Sequence, residues 1–213
     1  MLARVAPFAL YVGFLVGESI VGDTVDARWR YATQITAVAA LLVWFWSGYA
    51  ELRGPARGGT RDWLLALLIG TIVFVAWINL DFGWAQLGAG RGVAGELSGN
   101  GATGAEILLR VAGAVLVVPV MEELFWRSFL IRWLERATFL SVDPRTVRWR
   151  SILLAAAVFG AEHHLWLAGI VAGIAYGWLY RRTGILWTAV LAHALTNALL
   201  EAWAHRTANW HLL

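Results

Sequence analysis

Apolar and polar positions occur in blocks along this chain, and these blocks predict its elements. Short polar or glycine-rich stretches separate seven runs of mostly apolar residues. The runs cover residues 7–21, 31–49, 63–80, 104–131, 150–164, 167–180 and 185–203. A helix that crosses a bilayer needs about 20 such residues, because the hydrocarbon core is ~30 Å thick. The pattern therefore predicts an all-α fold, a multi-pass transmembrane helical bundle of about seven spans, with the shorter fifth and sixth spans tilted or partly interfacial.

Composition supports a membrane protein. Hydrophobic residues make up 60% of the chain and charged residues only 15%, against about 25% charged in a soluble domain. The 14 tryptophans favour membrane–water interfaces. The absence of cysteine excludes disulfides, a thiol nucleophile and cysteine-based metal sites. All basic residues are arginine, so a lysine nucleophile is excluded as well.

The 17 arginines predict the orientation of the bundle. If the N-terminus is cytoplasmic and seven spans alternate, eleven arginines face the cytoplasm, four face the other side and two lie inside the fourth span. The cytoplasmic set is Arg4, Arg53, Arg57, Arg61, Arg132, Arg136, Arg145, Arg148, Arg150, Arg181 and Arg182. The opposite set is Arg28, Arg30, Arg91 and Arg206. This bias predicts a cytoplasmic N-terminus, and explains the sequence pI near 9.8 without a nucleic-acid partner.

The predicted spans divide the chain into three parts. Residues 1–104 hold the N-terminal helices and a glycine-rich loop, residues 105–203 form a helical core, and residues 204–213 are a short tail. The first run lacks a small-x-small cleavage site after it, so we expect a retained helix and not a signal peptide. Residues 81–103 are rich in glycine and nearly free of charge, which predicts a mobile loop. The compact, arginine-only chain indicates the inner membrane of a bacterium.

Three charged residues stand within six positions of the fourth apolar run: Glu122, Glu123 and Arg127. Each ionised group near the membrane centre costs at least ~2.5–3.5 kcal/mol unless it is paired or hydrated. Glu123 and Arg127 are four residues apart, share a helical face and are expected to form a structural ion pair. Glu122 points about 100° away. A carboxylate inside a membrane without such a partner is a candidate functional group.

Two histidines are predicted at the same depth as Glu122. Glu122, His163 and His193 lie ten, thirteen and eleven residues from the arginines that bound their spans. At ~1.5 Å per helical residue, all three are roughly 15–20 Å from the predicted cytoplasmic charge layer. Asn197 follows His193 by four residues and shares its face. Three helices thus bring a carboxylate and two imidazoles to one level.

These residue types suit hydrolysis by activated water. A carboxylate in an apolar site can serve as a general base, and a neighbouring histidine can share that task. A histidine and an asparagine on one face can donate hydrogen bonds to a developing oxyanion. The alternative is a zinc site made by Glu122, His163 and His193 with one open position. No His-Glu-x-x-His pair anchors a metal on one helix, so we expect no cofactor, with zinc as the alternative.

Three motifs occur in order on the late spans: Glu122-Glu123-x-x-x-Arg127, Phe159-x-x-x-His163 and His193-x-x-x-Asn197. Together they resemble the motifs of the type II CAAX prenyl endopeptidase family and its bacterial relatives, often called CPBP intramembrane proteases. The run 177–188 also looks like the family's usual sequence before the last motif. The resemblance covers about residues 105–200, whereas residues 1–100 match nothing that we can name.

The resemblance implies a membrane helical fold with a water-filled polar cavity open to the cytoplasm. It implies that Glu122 and His163 activate water. His193 and Asn197 would form an oxyanion hole, while Glu123 and Arg127 would be supporting residues. Glu162 and His164 flank His163, so the functional position could shift by one residue. The Phe159 spacing favours His163, since Phe159 lies one turn earlier and could wall the same cavity.

The function predicted from the sequence is an intramembrane endopeptidase with a protein or peptide substrate and the lipid bilayer as its surroundings. One alternative is a catalytically silent membrane scaffold, or an immunity or sorting factor, with the same fold. Another is a transporter that uses Glu122 and the histidines as a proton relay. A transporter would need alternating access, and the two halves contain no matching pair of interrupted spans.

Overall fold

The computed structural model describes residues 1–21, 26–53, 58–88 and 103–213. Within these ranges the protein is all-α and contains no β-strand. The helices are α1 (Leu2–Val21), α2 (Ala27–Trp44), the short α3 (Ala50–Arg53), α4 (Thr60–Asn79), α5 (Gly104–Trp133), α6 (Trp149–Ala161), α7 (Trp166–Thr183) and α8 (Leu186–Thr207). The predicted mobile loop at 81–103 lies mostly outside the described residues; residues 83–85 form a 3₁₀ turn.

The all-α class is confirmed, and the seven long helices in the described part of the chain correspond to the seven apolar runs. Two of them, α4 and α5, are long and apolar enough to span a membrane among the described residues. Helix α6 and residues 2–17 of α1 are shorter apolar helices. The number of spans therefore stays a prediction. The predicted end of the fifth span was wrong: α6 stops at Ala161, and His163 and His164 lie in the turn that follows.

Exposed tryptophans lie at both ends of the bundle. Trp29, Trp84 and Trp203 are near the ends of α2, α4 and α8 that lie away from the arginine-rich turns, and they are 72%, 67% and 38% exposed. Trp44 and Trp149 are 80% and 45% exposed and lie at the arginine-rich end. Tryptophan is enriched where a membrane meets water. Exposed tryptophans at both ends are the arrangement expected of a bundle that spans a bilayer.

Small residues bring α6 and α7 into close contact. Gly169, Gly173 and Gly177 recur every four residues on α7 and face α6. A Cβ atom on Gly173 would lie 2.8 Å from the Cα of Ala156, and one on Gly177 would lie 2.9 Å from Ile152 Cγ2. Such small-x-x-x-small patterns allow backbones to approach in membrane bundles. The ladder fixes α6 against α7 and so positions the turn that carries His163.

Helices α4 and α8 also touch through their backbones. A Cβ on Gly70 would lie 2.5 Å from the carbonyl oxygen of Ala192, so only glycine fits there. The Thr196 hydroxyl lies 2.9 Å from the Gly70 carbonyl oxygen and accepts a hydrogen bond of 2.7 Å from the Tyr176 hydroxyl. This contact fixes α8 in rotation and depth, which aims His193 at α5.

Helix α5 is interrupted twice by π-helical segments, at Gly113–Val117 and Leu124–Leu130. Glu122 and Glu123 end the α-helical stretch Val118–Glu123 between them. Each π segment changes the hydrogen-bond register and the direction in which following side chains point; such segments are frequent at functional sites. The chain thus departs from regular helix on both sides of its two adjacent carboxylates.

The arginine-rich end is closed by a network around Arg4. Its Nη2 atom lies 2.6 Å from Glu51 Oε2, and its Nε donates to the Ser128 hydroxyl at 3.0 Å. Ser128 also hydrogen-bonds to Glu51. Burial would raise the pKa of Glu51, but the hydrogen bonds from Arg4 and Ser128 outweigh it and lower that pKa. The network joins α1, α3 and α5 at this end.

Candidate active site

A cavity of about 410 Å³ lies among α1, α2 and α4–α8. Its lining is mainly apolar, and a small set of polar side chains converges on it, as in pockets that bind small molecules or peptides. These polar side chains include Glu122, His163, His193 and Asn197. The structure therefore brings together the four residues to which the sequence assigned catalytic roles, while the roles themselves stay predictions.

Glu123 is the centre of a buried ion pair. The residue is 0% exposed, and its Oε1 atom lies 3.0 Å from Arg127 Nη1 and 2.9 Å from His193 Nδ1. Arg127 is 2% exposed, and its guanidinium also lies 4.9 Å from the centre of the Phe159 ring. A buried charge is tolerated when it is paired. Glu123 thus compensates Arg127 and holds the imidazole of His193.

The sequence did not predict the contact between His193 and Glu123. Its ring lies between the two adjacent acids, with Nδ1 on Glu123 and Nε2 at 4.0 Å from Glu122 Oε2. Tyr176 stacks on the imidazole at 5.1 Å between ring centroids. Because the carboxylate accepts, Nδ1 carries the proton. The Nε2 atom therefore faces Glu122 and the cavity.

Glu122 is the acid without a close partner. The residue is 6% exposed, and its Oε2 atom has no hydrogen-bond partner among the described residues. An ionised carboxylate buried in this way is costly unless a ligand or water binds it. Glu122 lines the cavity, so its carboxyl group is the candidate to bind a water molecule or a substrate there.

His163 is held by a hydrogen bond to the last turn of α6. The Nδ1 atom lies 2.6 Å from the carbonyl oxygen of Phe159, so Nδ1–H donates and Nε2 keeps a lone pair. The Trp77 ring lies edge-on to the imidazole at 5.5 Å. Although α6 has already ended, the four-residue spacing to Phe159 still directs the ring into the cavity. The fixed tautomer leaves Nε2 as the acceptor or base.

His164 has a different environment from its neighbour. Its Nδ1 atom lies 2.8 Å from the Leu87 carbonyl oxygen, and its own carbonyl accepts from the Leu87 N–H at 2.8 Å. The histidine thus fastens the loop after α4 to the turn after α6. His164 borders the cavity, but this pairing ties it to the loop and not to Glu122.

The side-chain amide of Asn197 uses one of its hydrogens in a bond to the backbone. Its Nδ2 atom donates to the carbonyl oxygen of Ala114 at 2.8 Å, inside the first π segment of α5. An amide NH₂ has two hydrogens, so one donor remains. The side chain therefore links α8 to α5 and still presents a donor to the cavity.

Glu162 joins the site, although the sequence indicated it only as a flanking residue. One ligand atom each from Glu122, Glu162 and His163 lies within 4.8 Å of the others. Carboxylate oxygens and an imidazole nitrogen are donors that zinc accepts, and three protein ligands would leave one position open. The predicted alternative zinc set contained His193 in place of Glu162. The compact group of possible ligand atoms holds Glu162 and not His193, so the structure favours Glu162 as the third candidate ligand.

A second ion pair borders the same cavity and was missed. Arg110 and Glu201 form two hydrogen bonds of 2.7 and 2.6 Å, and both residues are buried. The Tyr31 hydroxyl donates to the Arg110 carbonyl oxygen at 3.0 Å. One arginine in the fourth apolar run and one glutamate in the seventh were the available signal. Pairing them required knowledge of how α5 and α8 pack.

The residues after α8 fold back over the cavity. Trp77 Nε1 donates to the Leu212 carbonyl oxygen at 2.9 Å, and His211 Nε2 lies 2.7 Å from Asp81 Oδ2. The hydrogen bond from His211, assisted by one from Gln86, lowers the pKa of the Asp81 carboxyl. These contacts hold residues 210–213 against the loop that follows α4.

Comparison with known proteins supports the assignment from the motifs. Residues 104–199 match the family model described as type II CAAX prenyl endopeptidase Rce1-like. A search of curated proteins and a search of solved structures each found no match. The matching segment runs from the start of α5 into α8 and contains all three motifs. Through this segment, which is a little under half of the chain, the protein is similar to the type II CAAX prenyl endopeptidase Rce1-like family, a family of membrane proteins.

Proposed function

We propose that the protein is an intramembrane endopeptidase that hydrolyses a peptide bond with water activated by Glu122 and His163. Its substrate is a protein or peptide, its surroundings are the lipid bilayer of a bacterial inner membrane, and no nucleic acid takes part. The observation that carries the proposal is that Glu122, a buried acid with an oxygen that has no hydrogen-bond partner, lines the same cavity as His163.

The first step is the removal of a proton from water. One carboxylate oxygen of Glu122 and one imidazole nitrogen of His163 lie within 4.8 Å of each other. A water molecule between them would donate to one or both, and its oxygen would attack the carbonyl carbon of the substrate. The proton taken from water then passes to the leaving amine. A positioned acid–base group typically contributes 10²- to 10⁴-fold to such a rate.

The oxyanion formed by this attack requires donors on the other side of the carbonyl group. Asn197 supplies its second amide hydrogen. A hydrogen bond from His193 to the oxyanion would have to come from Nε2, since its Nδ1–H is held by Glu123. Arg127 and Glu123 act through His193, whose orientation they fix. Donors that are already in place stabilise the transition state without reorganisation.

This mechanism assigns water activation to side chains and uses no cofactor. The alternative is a zinc ion on Glu122, Glu162 and His163 that would lower the pKa of a bound water. The two mechanisms differ in a measurable way. Elemental analysis of the purified protein should find no stoichiometric zinc, and a chelator should leave activity unchanged. Loss of activity on chelation, restored by zinc, would favour the metalloprotease.

The experiment that tests the function compares membrane proteomes. Cells carry either the wild type or Glu122→Ala, at matched protein levels, and new peptide termini are quantified. We expect at least one terminus that depends on Glu122. Glu106→Gln is the matched control, because Glu106 lies on the same helix, caps its start at Thr103 and does not line the cavity. Identical termini in all three strains would favour the catalytically silent scaffold.

A further inference from the structure

The cavity extends from the middle of the bundle towards one end. On α5 its lining runs from Arg110 to Glu122, and on α8 from His193 to Glu201. These are the N-terminal part of α5 and the C-terminal part of α8. Most other lining residues come from the start of α2, the end of α4, the end of α6 with the turn after it, and the tail after α8. The remaining ones, Tyr11, Leu15, Ala172 and Tyr176, lie within α1 and α7. The cavity thus extends from the level of Glu122 towards these helix ends.

The other half of the bundle is filled by side chains. Between the level of Glu123 and the arginine-rich turns, large residues are 2% exposed or less. They are Arg127, Ile131, Ile152, Leu179, Tyr180, Leu186 and Tyr49. The Arg4–Glu51–Ser128 network closes the end of this half. A polypeptide could not reach Glu122 from there without displacing the packed core.

The filled half carries the arginine-rich turns. The segment between α5 and α6 holds Arg136, Arg145 and Arg148, and Arg181 and Arg182 end α7. Loops with this excess of arginine stay in the cytoplasm when membrane proteins insert. The orientation predicted by the arginines and a cavity open to the cytoplasm are therefore incompatible, because the two lie at opposite ends of the structure.

We propose that the cavity opens on the non-cytoplasmic side of the membrane, and that the substrate is a polypeptide segment presented there. The inference rests on the proposed function for its substrate, whereas the direction of the cavity rests on arginine placement and packing alone. Trp84 and Trp166, whose rings lie 6.0 Å apart, are at this end of the bundle. A peptide would enter beside the loop after α4 and the residues after α8, and would reach Glu122 without crossing the arginine layer.

The chain has no cysteine, so single introduced cysteines report location directly. Trp84→Cys lies at the cavity end and Leu140→Cys in the segment between α5 and α6; both positions are well exposed. Leu200→Cys lines the cavity near Asn197. Each variant is expressed in a bacterial host and treated with a membrane-impermeant maleimide, before and after the membrane is permeabilised. Maleimides react with thiols in water and not with thiols in lipid, because the reactive species is the thiolate.

We expect Trp84→Cys and Leu200→Cys to be labelled fully in intact spheroplasts, and Leu140→Cys only after permeabilisation. The reverse pattern would overturn the proposal and place the cavity on the cytoplasmic side. Failure of Leu200→Cys to react in either condition would also overturn it, because the cavity would then be closed to water. If a variant fails to accumulate, Thr207→Cys replaces Trp84→Cys and Thr146→Cys replaces Leu140→Cys.

The labelling does not depend on hydrolysis. The same set is repeated with Glu122→Gln in the background, and the pattern should not change. Expected labelling together with a proteome that is insensitive to Glu122 would keep the orientation and remove the proposed function. Reversed labelling with a Glu122-dependent cleavage product would do the opposite.

Discussion

Replacement of Glu123 by glutamine should lower the free energy of unfolding, whereas the same replacement at Glu122 should leave it unchanged. Glu123 is fully buried and compensates Arg127, which is 2% exposed. Glutamine would keep the shape and one acceptor but remove the negative charge. Breaking a buried ion pair by removing one partner costs about 3–5 kcal/mol, a large part of the ~5–15 kcal/mol by which a folded protein is stable.

The contrast between the adjacent acids gives this prediction its control. Glu122 Oε2 has no hydrogen-bond partner within the described part of the chain, and its distance to His193 Nε2 is 4.0 Å. Glutamine at position 122 would therefore break no hydrogen bond made by the Oε2 atom. We expect Glu122→Gln to accumulate and unfold like the wild type.

The double variant Glu123→Gln with Arg127→Met separates charge from packing. It removes both members of the pair, and replacing a buried pair as a whole is often close to neutral. Unfolding of purified protein in detergent, followed by tryptophan fluorescence, measures all four proteins. We expect the double variant to be more stable than Glu123→Gln alone. A Glu123→Gln protein as stable as the wild type would refute the reasoning, because the buried guanidinium would then need no counter-ion.

Three further predictions concern the surroundings of the site. His163→Ala should lower the cleavage rate by at least ~100-fold, and His164→Ala far less, because only the first ring presents a free nitrogen to Glu122. Gly70→Ala should lower thermal stability, since its Cβ would lie 2.5 Å from a backbone oxygen of α8. Acid should release residues 210–213: the lowered pKa of Asp81 means that its bond to His211 stabilises the fold above the unfolded pKa and is lost as pH falls through the folded one. Hydrogen exchange of the tail amides measures that release.

Each of these predictions has a control or a contradicting outcome. An inactive His164→Ala with an active His163→Ala would move the assignment by one residue. Gly13→Ala is the control for Gly70→Ala, because a Cβ at Gly13 meets nothing within 4 Å and alanine favours helix. Asp81→Asn should make the protection factors of the tail amides independent of pH. If these protection factors still fall in acid in that variant, another group causes the release.

The sequence predicted the helices and the depth of the site in the bundle, but not the rotation of each helix about its own axis. The apolar runs located α4 and α5 within a few residues, because the bilayer fixes the length of such segments. Counting from the bounding arginines placed Glu122, His163 and His193 at one level, and the structure brings these side chains into one cavity. Depth follows from helical rise, which the sequence determines locally.

What the sequence could not predict depends on contacts between distant residues. The His193–Glu123 bond joins α8 to α5, and its geometry requires the close approach of α4 and α8 at Gly70. The Arg110–Glu201 pair likewise spans 91 positions. The early end of α6 arises where the turn of residues 162–164 pairs with the loop after α4. Hydrophobic periodicity does not encode such contacts.

The central claim is that Glu122 activates water for peptide hydrolysis. The most direct test is cleavage of the substrate identified by proteomics, using purified wild-type protein, Glu122→Gln and Glu106→Gln at equal folded amounts. The account predicts turnover by the wild type and by Glu106→Gln, with or without a chelator, and none by Glu122→Gln. Equal turnover by Glu122→Gln and the wild type would contradict it.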